Sequence, residues 1–131
     1  MVGRSLTSFG GAGVNQIAFE TSDIFSTVAA MRKRGTQLLS IPMNYYRDLA
    51  ENRGVPEILV EKLQEASVLY DDDANGGQFF HAYTEFFHGR FFFEIVQREQ
   101  RYERYGERNA PIRMAAQASH HQRTGYPLDA R

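Results

Sequence analysis

The run Phe91-Phe92-Phe93-Glu94-Ile95-Val96 constrains this chain more than any other. Side chains alternate across a pleated strand, so Phe92, Glu94 and Val96 face one way and Phe91, Phe93 and Ile95 the other. A second aromatic strand, Gln78–Thr84, precedes it across the connection Glu85–Arg90. It sets Phe79, His81 and Tyr83 on one face and Phe80 and Ala82 on the other. With ten phenylalanines, seven tyrosines and no tryptophan, the core is built on Phe and Tyr. A carboxylate inside such a run needs a partner, a metal or a water-filled cavity to offset its desolvation.

The rest of the chain supplies elements to pack against those strands. Val14–Glu20 alternates as a strand with Gln16 and Ala18 on one face and Ile17 and Phe19 on the other. Thr21-Ser22-Asp23 follows with N-cap chemistry, Ser22 being the expected cap. Ile24, Val28 and Met31 then recur at helical spacing with Phe25 alongside, Lys33 and Arg34 suit the last turn, and Gly35 ends the helix. Gln37–Ile41 reads as a strand closed by Pro42. Asn44–Asn52 and Glu57–Ala66 read as helices separated by Gly54-Val55-Pro56, and Val68–Asp71 as a short strand before the acidic turn Asp72–Gly77. Ala110–Ala118 predicts a closing helix. Residues 1–12 are expected as a leading loop or linker, 13–118 as the folded part and 119–131 as a flexible tail. The order β-α-β-(αα)-β-β-β predicts an α+β fold, an antiparallel sheet with helices on one face and a concave inner face carrying Gln16, His81 and Glu94.

Composition narrows the function classes. At 131 residues the chain makes one domain, and a net charge of -1 gives no bulk field for nucleic acid or an anionic membrane. No apolar run reaches the ~18–20 residues of a membrane span. The absence of cysteine excludes disulfides, thiolate metal sites and cysteine nucleophiles, and points to a cytoplasmic protein. Glycine-rich phosphate loops and nucleophile-elbow patterns are also missing, which removes nucleotide binding and serine hydrolysis.

Among candidate site residues, Glu94 is either a metal ligand or tuned acid, or a strand-edge carboxylate that faces solvent or pairs with Arg90 or Arg98. His81 is either a hydrogen-bonded core histidine or, with Glu94 on the neighbouring strand, half of an imidazole–carboxylate site suited to iron, zinc or manganese. Gln16 is a weak metal ligand and a good hydrogen-bonding group toward a substrate carboxylate or carbonyl. His88 lies in a loop and His120-His121 in the expected tail. Asp71-Asp72-Asp73 reads as an acidic turn, since it lacks the spaced ligands of a calcium loop. Arg98–Arg108 alternates Arg with Glu99, Glu103 and Glu107 at helical spacing and reads as self-paired surface.

Taken together, these residues resemble a known family. Gly10 to Ile24, Pro42 with Tyr45-Tyr46, Asp71 to Thr84, Phe91 to Arg98, and Tyr105-Gly106 with Asn109 are similar to the last βαβββ module of 4-hydroxyphenylpyruvate dioxygenases, within the vicinal oxygen chelate superfamily. The ending from Arg90 through Asn109-Ala110-Pro111-Ile112-Arg113 to Gln117 resembles the dioxygenase-like half of bacterial 3-dehydroshikimate dehydratase fusion proteins. The resemblance implies half of a two-module barrel, one Fe(II) or other divalent metal, and oxidation of an aromatic 2-oxo acid. It puts Glu94 on the family's glutamate ligand and Gln16 on a histidine ligand's position, while His81 occupies the place of a substrate-side glutamine and Ala110 that of a phenylalanine. The other histidine ligand belongs to a preceding module, so this chain is expected to be a piece of a longer protein or to pair with a second copy. Glu94, Gln16 and His81 are the implied metal set, with His81 and Gln16 as the implied catalytic groups. The rival implication is an accessory module on a dehydratase fusion.

Overall fold

The computed structural model describes residues 3–8 and 15–124, with side chains described over 16–119. Its elements are β1 (Gly3–Ser8), β2 (Asn15–Glu20), α1 (Ile24–Lys33), α2 (Met43–Glu51), α3 (Glu57–Ala66), β3 (Leu69–Asp72), β4 (Gln78–Tyr83), β5 (Phe91–Glu99), a 3-10 turn (Glu107–Asn109) and α4 (Ala110–Thr124). They build a five-stranded sheet in the order β1-β2-β5-β4-β3.

The two aromatic strands sit at the centre. β4 and β5 pair antiparallel, with His81 opposite Val96 and Tyr83 opposite Glu94. β2 pairs with β5 in parallel, with Gln16 opposite Phe92 and Ala18 opposite Glu94. The sheet is therefore mixed, not antiparallel throughout. A parallel pair needs a long crossover, and the helices between β2 and β5 provide one. That pairing puts Gln16 beside Glu94, which no short hairpin could do.

Helices α1, α2 and α3 cover the outer face. Ile24 and Val28 of α1, Tyr45, Tyr46 and Leu49 of α2, and Val60 and Leu63 of α3 are buried in one cluster with Leu69, Tyr70, Phe80, Ala82 and Ile95. A smaller cluster of Phe79, Val96 and Tyr102 forms on the inner face. Helices do not keep to one side: Arg113 of α4 lies over Tyr83 and Phe92, both inner-face residues.

Four local expectations differ from the structure. Gly3–Ser8, expected within a leading loop, pairs along the whole of β2 and covers what would otherwise be an open edge; Gly10, Gly11 and Gly13 lie outside the described residues. Gln37–Ile41 is not a strand. Leu38 makes one isolated bridge to Thr84, with the Leu39 N–H donating to the Tyr83 carbonyl at 2.8 Å and the Glu85 N–H to the Gln37 carbonyl at 3.1 Å. Asp23, not Ser22, caps α1, its carboxylate accepting from the Ser26 N–H at 3.2 Å. Finally, α4 extends to Thr124, past the expected end of the closing helix and into the expected tail.

Residues 100–109 form a strap rather than a helical charged surface. Gln100 and Arg101 both adopt positive φ, which breaks helical spacing. The arginines reach outward: Arg98 pairs with Glu20 at 3.1 Å and Arg108 with Asp71 at 3.5 Å. Tyr102 is buried, stacked on Phe79 at 5.0 Å, and its hydroxyl donates to Asp71 at 2.6 Å. Among the described residues no helix is long and apolar enough to cross a membrane.

Candidate functional site

Glu94 projects from the middle of β5 onto the inner face and is 6% exposed. Its carboxylate is hydrogen-bonded from both flanking strands. Gln16 of β2 donates its amide N–H to Oε1. From β4, the His81 Nδ1 lies 3.1 Å from Oε2 and 3.1 Å from the Tyr83 hydroxyl. The three residues singled out by strand alternation thus converge, although Gln16 and Glu94 are 78 positions apart. Solvent-facing Glu94 and a pairing with Arg90 or Arg98 both drop out.

The protonation of His81 follows from its other neighbours. Asn109 Nδ2 sits 3.0 Å from the Tyr70 carbonyl oxygen and 2.9 Å from His81 Nε2. A carbonyl only accepts, so the amide nitrogen must occupy that place, and Nε2 must accept from it. The Asn109 amide oxygen in turn accepts from the Tyr45 hydroxyl at 3.1 Å. His81 is therefore a neutral imidazole with its proton on Nδ1, aimed at Glu94 and Tyr83. It has 0% exposure. Burial pushes the Tyr83 phenol well above its ordinary range, and the Glu94 charge adds to this.

The strap closes one end of this network. Gly106 presses so closely on the sheet that a Cβ there would lie 2.7 Å from Phe79 and 2.9 Å from His81 Nε2. Beyond Glu94 the inner face opens into a cavity of about 910 Å³, lined by Gln16, Phe79, Tyr83, Glu94, Tyr105 and Arg113 among others. A smaller hollow of about 310 Å³ on the opposite face is lined mainly by Phe19, Met31, Phe87, Phe93 and threonines, and lacks the convergent polar groups of a chemical site.

The remaining candidates do not join the site. His88 lies in the turn before β5 at φ 56° and is exposed. The side chains of His120 and His121 lie outside the described residues. Asp71 is buried and ion-paired with Arg53 at 3.3 Å, while Asp73 accepts from the Asn75 and Gly77 N–H groups and closes the turn. Residue alternation alone missed Asn109 and Arg113. Tyr83 shared the His81 face and could have been found by the same periodicity.

Comparison with known proteins identifies the arrangement. The chain is 49% identical over 117 residues to a 3-dehydroshikimate dehydratase of Pseudomonas aeruginosa, covering 89% of this chain and 18% of that protein. It superposes on a xylose isomerase-like TIM barrel/4-hydroxyphenylpyruvate dioxygenase fusion protein with a TM-score of 0.76 and 48% identity, over 79% of this chain and 17% of that one. The chain is a dioxygenase-like vicinal oxygen chelate module. It is also 37% identical over 107 residues to the 4-hydroxyphenylpyruvate dioxygenase of Caenorhabditis elegans, covering 77% of the module and 27% of that enzyme. A variant of 4-hydroxymandelate synthase from Streptomyces coelicolor matches at a TM-score of 0.63 and 26% identity, over 80% of the module and 30% of that chain. No protein-family profile matches. The module spans less than a fifth of the length of the dehydratases it matches.

The donor set does not fit an iron bound by two histidines and a glutamate. Within the module, Glu94 offers a carboxylate and Gln16 an amide, and an amide oxygen is a poor substitute for imidazole at such an ion. His81 has Nε2 occupied by Asn109 and Nδ1 directed at Glu94 itself. Among the described residues no three His, Asp or Glu side chains converge.

Proposed function

We propose that this module belongs to a longer cytoplasmic protein of the dehydratase-fusion kind, where it serves as an accessory, ligand-binding module and the dehydration of 3-dehydroshikimate takes place elsewhere in the chain. A preceding module of the same fold, or a second copy in a homodimer, closes the open inner face into a barrel. The observation that carries this reading is the locked state of His81. Both ring nitrogens are engaged by hydrogen bonds inside the module, and glutamine holds the position beside Glu94. The polar cluster is thus organised to receive hydrogen bonds from a ligand at Glu94 and Gln16 rather than to complete a histidine-rich metal site.

The second reading is metal-dependent oxygenation of an aromatic 2-oxo acid. It is favoured by the convergence of Gln16 and Glu94 beside the large cavity. There a divalent metal, Fe(II) by family likeness, would take Glu94 as its ligand from this module and the rest from the preceding one. Oxygen uptake by the full-length, iron-loaded protein with 4-hydroxyphenylpyruvate separates the two. The accessory reading expects none above the no-substrate rate. Iron-dependent uptake abolished by Glu94→Ala would replace it with the oxygenase.

A further inference from the structure

The turn between β3 and β4 carries the dipeptide Asn75-Gly76, and its conformation leaves a reactive pair of groups open. Asn75 and Gly76 are both exposed. Among the described residues the Asn75 side-chain amide has no hydrogen-bond partner and the Gly76 N–H donates to none, although the groups around them are tied down. The Asn75 and Gly77 N–H groups donate to the Asp73 carboxylate at 2.9 and 2.7 Å, and the Asp73 N–H donates to the Gly77 carbonyl at 3.0 Å. Gly76 lies at φ +86° with nothing within 4 Å of its missing Cβ, so no side chain shields its nitrogen. The other asparagines lack this combination. Asn15 and Asn44 precede Gln16 and Tyr45 inside β2 and α2. Asn52 donates to Asp48 at 2.6 Å, and Asn109 is buried against Tyr70 and His81.

We propose that Asn75 is a site of spontaneous deamidation and that its isoaspartyl product loosens the strap. The Gly76 nitrogen gives up its proton and attacks the Asn75 Cγ. The Cγ–Nδ2 bond breaks, and ammonia leaves with that proton, closing a five-membered succinimide. Water then opens the ring on either side of the nitrogen. Cleavage of its new bond to Cγ gives aspartate. Cleavage of its original bond to the Asn75 carbonyl carbon gives isoaspartate, whose main chain runs through Cβ and Cγ and is longer by one carbon. The turn has no slack for that carbon. Gly77 is buried so close to the strap that a Cβ there would lie 2.9 Å from the Tyr102 Cα. Tyr102 is where the strap is pinned, its hydroxyl donating to Asp71 at 2.6 Å and accepting from the Gly106 N–H at 3.1 Å. A displaced Gly77 therefore pushes on the backbone of the residue that holds Gly106 in place. The new carboxylate also adds a like charge beside Asp71, Asp72 and Asp73.

The test incubates the full-length protein at mildly alkaline pH, where the attacking nitrogen loses its proton more readily. Peptide masses are followed together with methyl transfer from S-adenosylmethionine by an isoaspartyl-specific carboxyl methyltransferase. The amide-to-acid mass change is expected at Asn75 before Asn15, Asn44, Asn52 or Asn109, with isoaspartate at that position. Folding should slow it by no more than about tenfold relative to the urea-unfolded protein, the cost of opening one exposed turn. Asn75→Gln, whose cyclisation needs a less favoured six-membered ring, is expected to show no change at residue 75. Hydrogen exchange across residues 100–109 reads the effect on the strap. It should quicken several-fold in the incubated wild type and stay unchanged in Asn75→Gln incubated alongside. An intact Asn75 in the folded protein while the unfolded one reacts, earlier reaction at one of the other four asparagines, or equal exchange in the two incubated proteins would overturn the proposal. None of these outcomes depends on whether the cavity over Glu94 binds its ligand or oxidises it.

Discussion

Replacing Gly106 by alanine measures how firmly the strap is seated on the site. Two costs add. Gly106 lies at φ 68° and ψ 33°, where an L side chain is disfavoured by roughly 1–2 kcal/mol. The new Cβ would also stand 2.7 and 2.8 Å from Phe79 ring carbons and 2.9 Å from His81 Nε2. Phe79 has little room to yield, being packed between His81 at 4.6 Å and Tyr102 at 5.0 Å with the Arg98 guanidinium 4.8 Å above it. Overpacking of this kind costs about 1–3 kcal/mol, so the total is roughly 2–5 kcal/mol.

Gly54→Ala is the matched control. Gly54 has φ +67° and nothing within 4 Å of its missing Cβ, so the substitution there carries the backbone cost alone. The effect on the unfolded chain is the same glycine-to-alanine change in both variants and cancels between them. Urea unfolding is the assay. With a slope of about 1–3 kcal/mol/M, Gly106→Ala should lower the midpoint by roughly 1 M more than Gly54→Ala, at unchanged slope. Equal midpoints in the two variants would mean that the strap does not rest on Phe79 and His81, and the closed end of the polar network would have to be abandoned.

Asn109→Ala removes the amide that holds His81 Nε2, while Tyr45 and Tyr70 keep each other; a loss of about 1–3 kcal/mol is expected, with nitrogen NMR showing His81 released from its single tautomer. Burial is the leading cause that raises the phenols of Tyr45, Tyr46, Tyr70, Tyr83 and Tyr102 above their ordinary value of 10.0. Above that pH the unfolded chain loses protons that the folded chain keeps, so stability falls by about 1.4 kcal/mol per pH unit for each such tyrosine. Phenolate absorbance should then rise together with unfolding, with a shallower slope in Tyr45→Phe. The Glu107 carboxyl is held below its ordinary 4.5 by the backbone N–H of Glu107 itself and then that of Tyr105. Its contribution is present above pH 4.5 and lost as the pH falls through the lowered value; Glu107→Gln should flatten that acid limb of the stability profile.

Much of this architecture is local information. Two-residue periodicity assigned β4 and β5 and put His81, Tyr83 and Glu94 on one face, and helical spacing fixed α3 at Glu57–Ala66. Where local signals were faint, the expectation failed. The segment Gly3–Ser8 has Leu6 as its one large apolar residue, so its strand state comes from pairing with β2 and not from its own pattern. Gln37–Ile41 has β propensity but makes only a single bridge among the described residues, Leu38 to Thr84. The charge alternation of Arg98–Arg108 suggested a helix, yet its buried Tyr102 and its arginines are committed to distant Asp71 and Glu20.

The sequence by itself determined which side chains share the inner face, because a pleated backbone enforces alternation whatever the rest of the molecule does. Only the tertiary structure decided what those side chains do to one another. The parallel pairing of β2 with β5 delivers Gln16 to Glu94, and the return of the strap delivers Asn109 to His81. These are contacts between groups far apart along the chain. Their geometry depends on strand order and packing, which no local periodicity encodes.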